Sequence, residues 1–196
     1  MTADGLIETL AARRGHFQLE SGHHGELWLD LDGLFARPAR LAPFVAELAE
    51  RLSACGADVV CGPLVGGAFV AQAVAERLGI EASWTERVAG PSGGGLYAAR
   101  YRIPAALRDR LRDRSVAVVD DVVNAGSAAG ATIADLRACD ARPVALGALL
   151  VLGEGAARLA GAEGLALASV AALPNAIWAP AECPLCAAGV ELERLG

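Results

Sequence analysis

Apolar positions follow two rhythms along this 196-residue chain. Over residues 3 to 14 and 37 to 55 they recur at helical spacing. The second of these stretches, RPARLAPFVAELAERLSACG, ends at Gly56, a residue type that readily takes the left-handed turn closing a helix. Between them GHFQLESGHHGELWLDLDGLF alternates and is punctuated by Gly, which predicts short strands and turns. From residue 57 the pattern becomes cyclic: strand ADVVCG, loop PLVGG, helix AFVAQAVAERLG, strand IEASWTE. A second cycle has a strand over 115 to 119, a loop of acids and small residues, a helix over about 127 to 138 and the strand PVALGALLVL from 143. Runs of Val, Leu and Ala without polar alternation are what parallel strands buried on both faces require. The predicted class is α/β, a mainly parallel central sheet flanked by helices, with 57–170 as its core and all of 1–196 as one domain.

Two segments break the rhythm. Residues 87 to 96, RVAGPSGGGL, hold five Gly or Pro in ten and predict a mobile hairpin tip closed by YAARYRI. Residues 171 to 196 carry Pro174, Pro180 and Pro184, too many for a long helix.

A hydrophobic content of 54% and a mean hydropathy of +0.39 place the chain among folded proteins. No window reaches the roughly 18 apolar residues of a membrane span. The start, MTADGLIETLAARRG, carries acids early and lacks the basic-then-apolar order of a signal peptide. A cytoplasmic protein without membrane partners is expected. The net charge of −6 disfavours a nucleic-acid binder, and all 17 basic residues are Arg. Without Lys there is no Walker A loop and no Schiff-base chemistry, and no G-x-G-x-x-G follows a strand.

Five cysteines, Cys55, Cys61, Cys139, Cys183 and Cys186, are an odd and scattered set, which predicts free thiols. The C-x-x-C at 183 to 186 is half of a tetrahedral zinc site, with no second pair or neighbouring His in the sequence to complete it. The expectation is a tail whose small residues pack.

In an open α/β sheet ligands sit at the carboxyl ends of the strands. Three segments fall there: GPLVGG (62–67), DDVVNAGSA (120–128) and the Gly-rich excursion. Asn124, Ala125, Gly126, Ser127 and Ala128 run into a helix, so backbone N–H groups and the positive end of its dipole favour an anion, and small side chains admit a phosphate. Asp120 and Asp121 offer hard oxygen acceptors suited to sugar hydroxyls or to a magnesium ion that keeps its waters. A phosphate cradle beside a diol acceptor describes a ribose 5-phosphate site. An Asp, Gly and Ser sequence after a strand is also an ordinary helix cap.

VAVVDDVVNAGSA resembles the phosphoribosyl-pyrophosphate signature of the type I phosphoribosyltransferases, with Asn124 and Ala125 where Thr-Thr or Thr-Ala is usual. The rest of the chain is similar to the orotate phosphoribosyltransferases. GHFQLESGHHGELWLD looks like their N-terminal GhFxLxSGxxSxxY segment, with Ser21, Gly22 and Trp28 in place, and CGPLVGGAFVAQAVAERLG looks like their pyrophosphate loop and helix. WTERV and AECPLCAAGVEL resemble a bacterial subgroup whose chains end in a CPLC tail.

The resemblance implies the type I fold, with residues 1–36 and 171–196 as hood and tail. It implies a homodimer and Mg²⁺-dependent transfer of phosphoribosyl from phosphoribosyl pyrophosphate to a heteroaromatic base, orotate first. Another acceptor, or a regulator that only binds phosphoribosyl pyrophosphate, are the alternatives. Asp120 and Asp121 would hold the ribose hydroxyls and the metal's waters, and residues 124 to 128 the 5-phosphate. Gly62, Pro63, Leu64, Val65, Gly66 and Gly67 would meet the pyrophosphate with backbone donors. Ser21 would contact substrate in the N-terminal segment, and Trp28 would stack on the base or pack in the core. His23 and His24 stand where the family has a basic pair, and His24 is the candidate proton donor. The family's mobile-loop Lys has no counterpart. Arg87, Arg100 and Arg102 flank the excursion and would supply its charge but not its proton, and the CPLC-tailed subgroup favours Glu-Arg there.

Overall fold

The computed structural model describes residues 3–10, 12–19, 22–88 and 100–194. In chain order the elements are α1 (Ala3–Thr9), β1 (Arg13–Gln18), β2 (His24–Trp28), α2 (Leu31–Phe35), α3 (Pro38–Leu52), β3 (Val59–Pro63), α4 (Gly66–Leu78), β4 (Glu81–Val88), β5 (Arg100–Arg102), α5 (Ala105–Leu111), β6 (Ser115–Val123), α6 (Ser127–Arg137), β7 (Arg142–Leu152), α7 (Gly155–Glu163), β8 (Ala166–Leu173), β9 (Ile177–Trp178), α8 (Pro184–Ala187) and β10 (Glu193–Arg194).

Six strands form the central sheet in the order β5-β4-β3-β6-β7-β8, parallel except for the edge strand β5. Its three middle strands, β3, β6 and β7, are apolar on both faces over most of their length because both faces are covered. Along β3, Val60 points into one core while Val59 and Cys61 point into the other; along β6, Ala117 and Val119 alternate with Val116 and Val118 in the same way. One core is completed by α1 to α4, through residues such as Leu6, Leu34, Phe44, Leu48 and Val70. The other is completed by α5 to α7, through Leu111, Ile133, Leu136 and Ala156. Gly147 on β7 packs tightly under α3: a Cβ there would lie 3.0 Å from the side chains of both Leu52 of α3 and Val119 of β6.

A second, four-stranded sheet has the order β10-β1-β2-β9. It joins the two ends of the chain: β1 and β2 form an antiparallel pair, β9 adds to one edge at His24↔Trp178, and β10 adds to the other at Phe17↔Glu193. The N-terminal hood and the C-terminal tail are thus one layer. The boundaries differ from expectation in three places. The helix expected over 3 to 14 stops at Thr9, because Arg13 and Arg14 enter β1 opposite Trp28 and Leu27. A short helix, α2, follows β2, and it buries Leu34. The central strand β8 runs to Leu173, into the expected tail. The hairpin is present at its base, where Arg87 pairs with Tyr101 and Val88 with Arg100; residues 89–99, most of the Gly-rich excursion, lie outside the described residues, as does Ser21. Among the described residues no helix is long and apolar enough to cross a membrane.

The tight seam at Gly147 generates a paired test. Gly147→Val would push α3 off the sheet and destabilise the protein by about 1–3 kcal/mol, each kcal/mol lowering Tm by roughly 2–4 °C in a chain of this size. Gly161→Ala in α7, where an added Cβ meets nothing within 4 Å, should instead stabilise by up to about 1 kcal/mol. Thermal melts of the two variants beside the parent check both signs.

Candidate active site

The site arises where the sheet changes winding direction. From β3 the chain crosses over α4 to β4 on one side; from β6 it crosses over α6 to β7 on the other, with α4 and α6 on opposite faces. Neighbouring strands with outgoing connections on opposite faces leave a crevice at their carboxyl ends. The register shows it opening: β3 pairs with β6 only as far as Cys61↔Val118, while β3 stays paired with β4 to Pro63↔Thr85 and β6 with β7 to Val123↔Val151.

The two turns beyond this split press on each other. A Cβ on Gly66 would lie 2.0 Å from Asp121 Oδ2, and one on Gly67 would lie 2.7 Å from Asp120 Oδ1. A Cβ on Gly62 would fall 2.1 Å from the carbonyl oxygen of Gly67. A side chain at Gly62 would meet turn backbone, and one at Gly66 or Gly67 would displace the carboxylate beside it. The Leu64–Val65 peptide within the turn is cis, and the Leu64 N–H donates to the carbonyl of Thr85 at 2.8 Å. The stretch 62–67 and the two acids, separated by more than fifty residues, therefore form one wall.

The acids lie within β6, which runs on to Val123. Asp120 is buried, and its Oδ1 accepts from the Asp121 N–H at 3.0 Å; Asp121 Oδ1 accepts from the Val122 N–H at 2.7 Å. Burial first, and the neighbouring Asp121 charge second, push the Asp120 carboxyl well above the usual carboxylate range. Past Val123 the loop turns through Gly126, whose φ of 84° is left-handed, and α6 begins at Ser127 without a side-chain cap. A Cβ on Gly126 would also meet Leu159 of α7 at 3.1 Å, and one on Gly155 would lie 1.9 Å from the Asn124 carbonyl oxygen. The loop is held from below by α7. Asn124 to Ala128, with Asp120, Val122 and Val123, line a cleft of about 270 Å³ together with Leu19, which follows β1, and Ile177 of β9. A helix start with uncapped N–H groups, small side chains and a carboxylate at the margin suits a phosphorylated sugar.

Other expected site residues fall elsewhere. Glu86 lies opposite Arg102 and Val88 opposite Arg100, so strand alternation puts Arg100 and Arg102 on one face of the hairpin and Arg87 on the other. The three cannot act together from the described strand ends. Arg102 lines a different cleft, with Glu86, Arg108 and Asp135. Trp28 is half-buried, with the Arg13 guanidinium 5.9 Å from its ring centroid.

His24 does not stand as the proton donor that the resemblance implies. It is 5% exposed and lies against His16, with its Nδ1 3.1 Å from His16 Nε2 and 3.2 Å from Cys186 Sγ. Burial, then the neighbouring His16, lowers its pKa from the ordinary value, which favours the neutral ring rather than a proton donor. The expectation that no histidine stands near the C-x-x-C is overturned at the same place: His16 and His24 both reach it, from strands more than 150 residues away. His16 was not singled out from the sequence. The signal available was its spacing of eight from His24 across a predicted strand–turn–strand, which returns two side chains to one face.

No family model matches the chain. Curated relatives match nearly its full length. The orotate phosphoribosyltransferase of Caldanaerobacter subterraneus subsp. tengcongensis is 29% identical over 183 residues, covering 93% of this chain and 89% of that protein. The Thermotoga maritima orotate phosphoribosyltransferase is 29% identical over 196 residues, covering 100% and 97%. Among solved structures, the orotate phosphoribosyltransferase from Aeropyrum pernix superposes with a TM-score of 0.69 at 26% identity over 88% of this chain and 94% of that one. An adenine phosphoribosyltransferase from Thermoanaerobacter pseudethanolicus gives 0.69 at 16% identity over 88% and 100%, a likeness of fold alone. With the acid pair, the small-residue loop and the glycine turn meeting at the split of a parallel sheet, the chain has the type I phosphoribosyltransferase fold, and its sequence is similar to the orotate phosphoribosyltransferases.

Proposed function

We propose that this protein transfers the phosphoribosyl group of phosphoribosyl pyrophosphate to a ring nitrogen of orotate, as a homodimer that uses Mg²⁺. The observation that carries the reading is the shared wall of Gly66–Gly67 and Asp120–Asp121, opening onto the cleft lined by Asn124 to Ala128. The 5-phosphate would take the N–H groups at the start of α6, the ribose hydroxyls the carboxylates of Asp120 and Asp121, and the diphosphate the backbone of residues 62–67. The base nitrogen, its own proton released to solvent, forms its bond to the anomeric carbon as the carbon–oxygen bond to pyrophosphate breaks, the electron pair leaving with pyrophosphate. The transition state has oxocarbenium character. The chain contributes by holding the reactants in line and by aiming fixed N–H dipoles at the departing charge.

The donor set fits a hard divalent cation. Two adjacent carboxylates, one of them buried with its ionised form disfavoured, would gain from a positive charge held through water. Bound there, magnesium would offset the negative charge of the diphosphate. Of the hairpin-base arginines, Arg87 stands on the opposite strand face from Arg100 and Arg102, so positive charge for the diphosphate would come from one face of the hairpin and not from all three. Because Arg stays protonated, it would act by pairing and not by proton transfer.

Pyrophosphate release from phosphoribosyl pyrophosphate in Mg²⁺ should depend on orotate, and Asp121→Asn should lower turnover by about 100-fold, the scale of a misplaced reactant. Unchanged turnover in the variant would remove the carboxylate assignment. Release with a different heteroaromatic acid, but not with orotate, would replace the acceptor. Binding of phosphoribosyl pyrophosphate with no release for any base would make the protein a sensor.

The raised pKa of Asp120 sets a trade between stability and activity. A carboxyl whose folded pKa lies above its unfolded value contributes stability at low pH, and that contribution is lost as pH rises through the folded pKa. Above that range the ionised, buried Asp120 is a standing cost. Asp120→Asn keeps an oxygen for the Asp121 N–H and removes the charge. The variant should melt higher than the parent at pH 7 without metal, roughly 2–4 °C for each kcal/mol gained, and the gap should close toward pH 4, while turnover falls. Parallel melts at the two pH values, with the assay, check the sign.

A further inference from the structure

We propose that His16, His24, Cys183 and Cys186 form a structural zinc site that clamps the C-terminal tail onto the N-terminal strands. Their ligand atoms all lie within 4.8 Å of one another, and no other group of this kind occurs among the described residues. The separations match a tetrahedron around one ion. Zinc–nitrogen bonds of about 2.0–2.1 Å and zinc–sulfur bonds of about 2.3 Å require nitrogens about 3.3 Å apart and nitrogen–sulfur pairs about 3.6 Å apart. His16 Nε2 lies 3.1 Å from His24 Nδ1, 3.4 Å from Cys183 Sγ and 3.7 Å from Cys186 Sγ, and Cys186 Sγ lies 3.2 Å from His24 Nδ1. All four ligands converge without a disulfide; Cys183 and Cys186 are free thiols.

An outer hydrogen bond orients one ligand. His16 Nδ1 lies 2.9 Å from the Val190 carbonyl oxygen, which can only accept, so the proton sits on Nδ1 and the lone pair of Nε2 faces the cluster. His16 is 2% exposed, and Cys183 3%. The lone pair is therefore directed into a space shared with another imidazole and two sulfurs, three of the four residues being buried and Cys186 reaching the surface. Two thiolates and two neutral imidazoles are the set that selects zinc among common divalent ions, and together they neutralise its charge; the two thiol protons are released to solvent on binding.

The topology explains why a clamp belongs there. Phe17 pairs with Gly25 and Gln18 with His24, so His16 and His24 are diagonal neighbours on one face of the β1–β2 pair. The chain leaves β9 at one edge of this sheet and returns as β10 at the other edge, crossing the face between them. Cys183, which precedes the short helix α8, and Cys186 within it present both sulfurs at that crossing. The two-residue strands β9 and β10 offer the tail few ladder hydrogen bonds of their own, and a metal joining residues 16, 24, 183 and 186 closes the layer. Leu19, just past β1, and Ile177 of β9 line the phosphate cleft, so the clamp bears on that part of its lining.

The test reads metal and needs no substrate, so its outcome stands apart from the transferase reading. Full-length protein purified with zinc in the medium should retain about one zinc per chain after exchange into metal-free buffer. Cobalt substitution should give the intense visible bands of a tetrahedral ion together with a thiolate-to-cobalt charge-transfer band. Cys186→Ser, at an exposed position, should weaken zinc binding by more than the about 10–100-fold that loss of an outer partner costs, and should lower the Tm of the zinc-loaded protein toward that of the metal-free parent. Protein without zinc, cobalt spectra that lack the charge-transfer band, or equal zinc retention by Cys186→Ser would each overturn the proposal. The cobalt spectrum of the parent is decisive even if the variant fails to fold.

Discussion

Contact between two turns at the split of β3 from β6 governs the rest of the molecule. Gly66 and Gly67 lie so close to Asp121 and Asp120 that a Cβ at either position would displace a carboxylate, and that proximity turns two separate loops into a single wall. It is possible because α4 and α6 leave the sheet on opposite faces, so neither helix covers the carboxyl ends of the central strands. The same arrangement buries the strands completely, which is why they carry Val, Ala and Leu on both sides. Site and core are two consequences of one winding pattern.

Electrostatics make that wall a poised element. A carboxyl buried beside another carboxylate is held away from its preferred ionised state, and a protein keeps such a pair where a cation or a hydroxyl-bearing ligand relieves it. The loop that follows carries no charged side chain, and its Gly126 turn is braced from below by Leu159 and Gly155. Charge is concentrated at the strand end and backbone dipoles at the helix start. A sugar flanked by phosphates has the matching distribution.

The smaller sheet ties function to the chain ends. Its four strands come from residues 13–28 and 177–194, and Leu19, just past β1, and Ile177, in β9, line one cleft with the 124–128 loop. Edge strands of two residues are weak alone. The cluster of His16, His24, Cys183 and Cys186 lies over the middle of this sheet, where one bound ion would hold both ends of the chain against the core.

Local rules acting on the sequence alone determined the α/β class, the repeating strand and helix units from residue 57, the Gly56 helix end, and the acid pair leading into a small-residue loop. Each depends on periodicity or on the conformational needs of neighbouring residues, so it is written within a short window. The hairpin base was legible for the same reason. What only the tertiary structure decided depends on contacts distant in sequence. Strand order put residues 62–67 against Asp120 and Asp121; strand alternation separated Arg87 from Arg100 and Arg102; and pairing of the two chain ends carried His24 away from the role expected of it. The C-x-x-C read as half a site because its other half lies on β1 and β2, more than 150 residues earlier, and nothing within a local window connects a histidine to a cysteine across that distance.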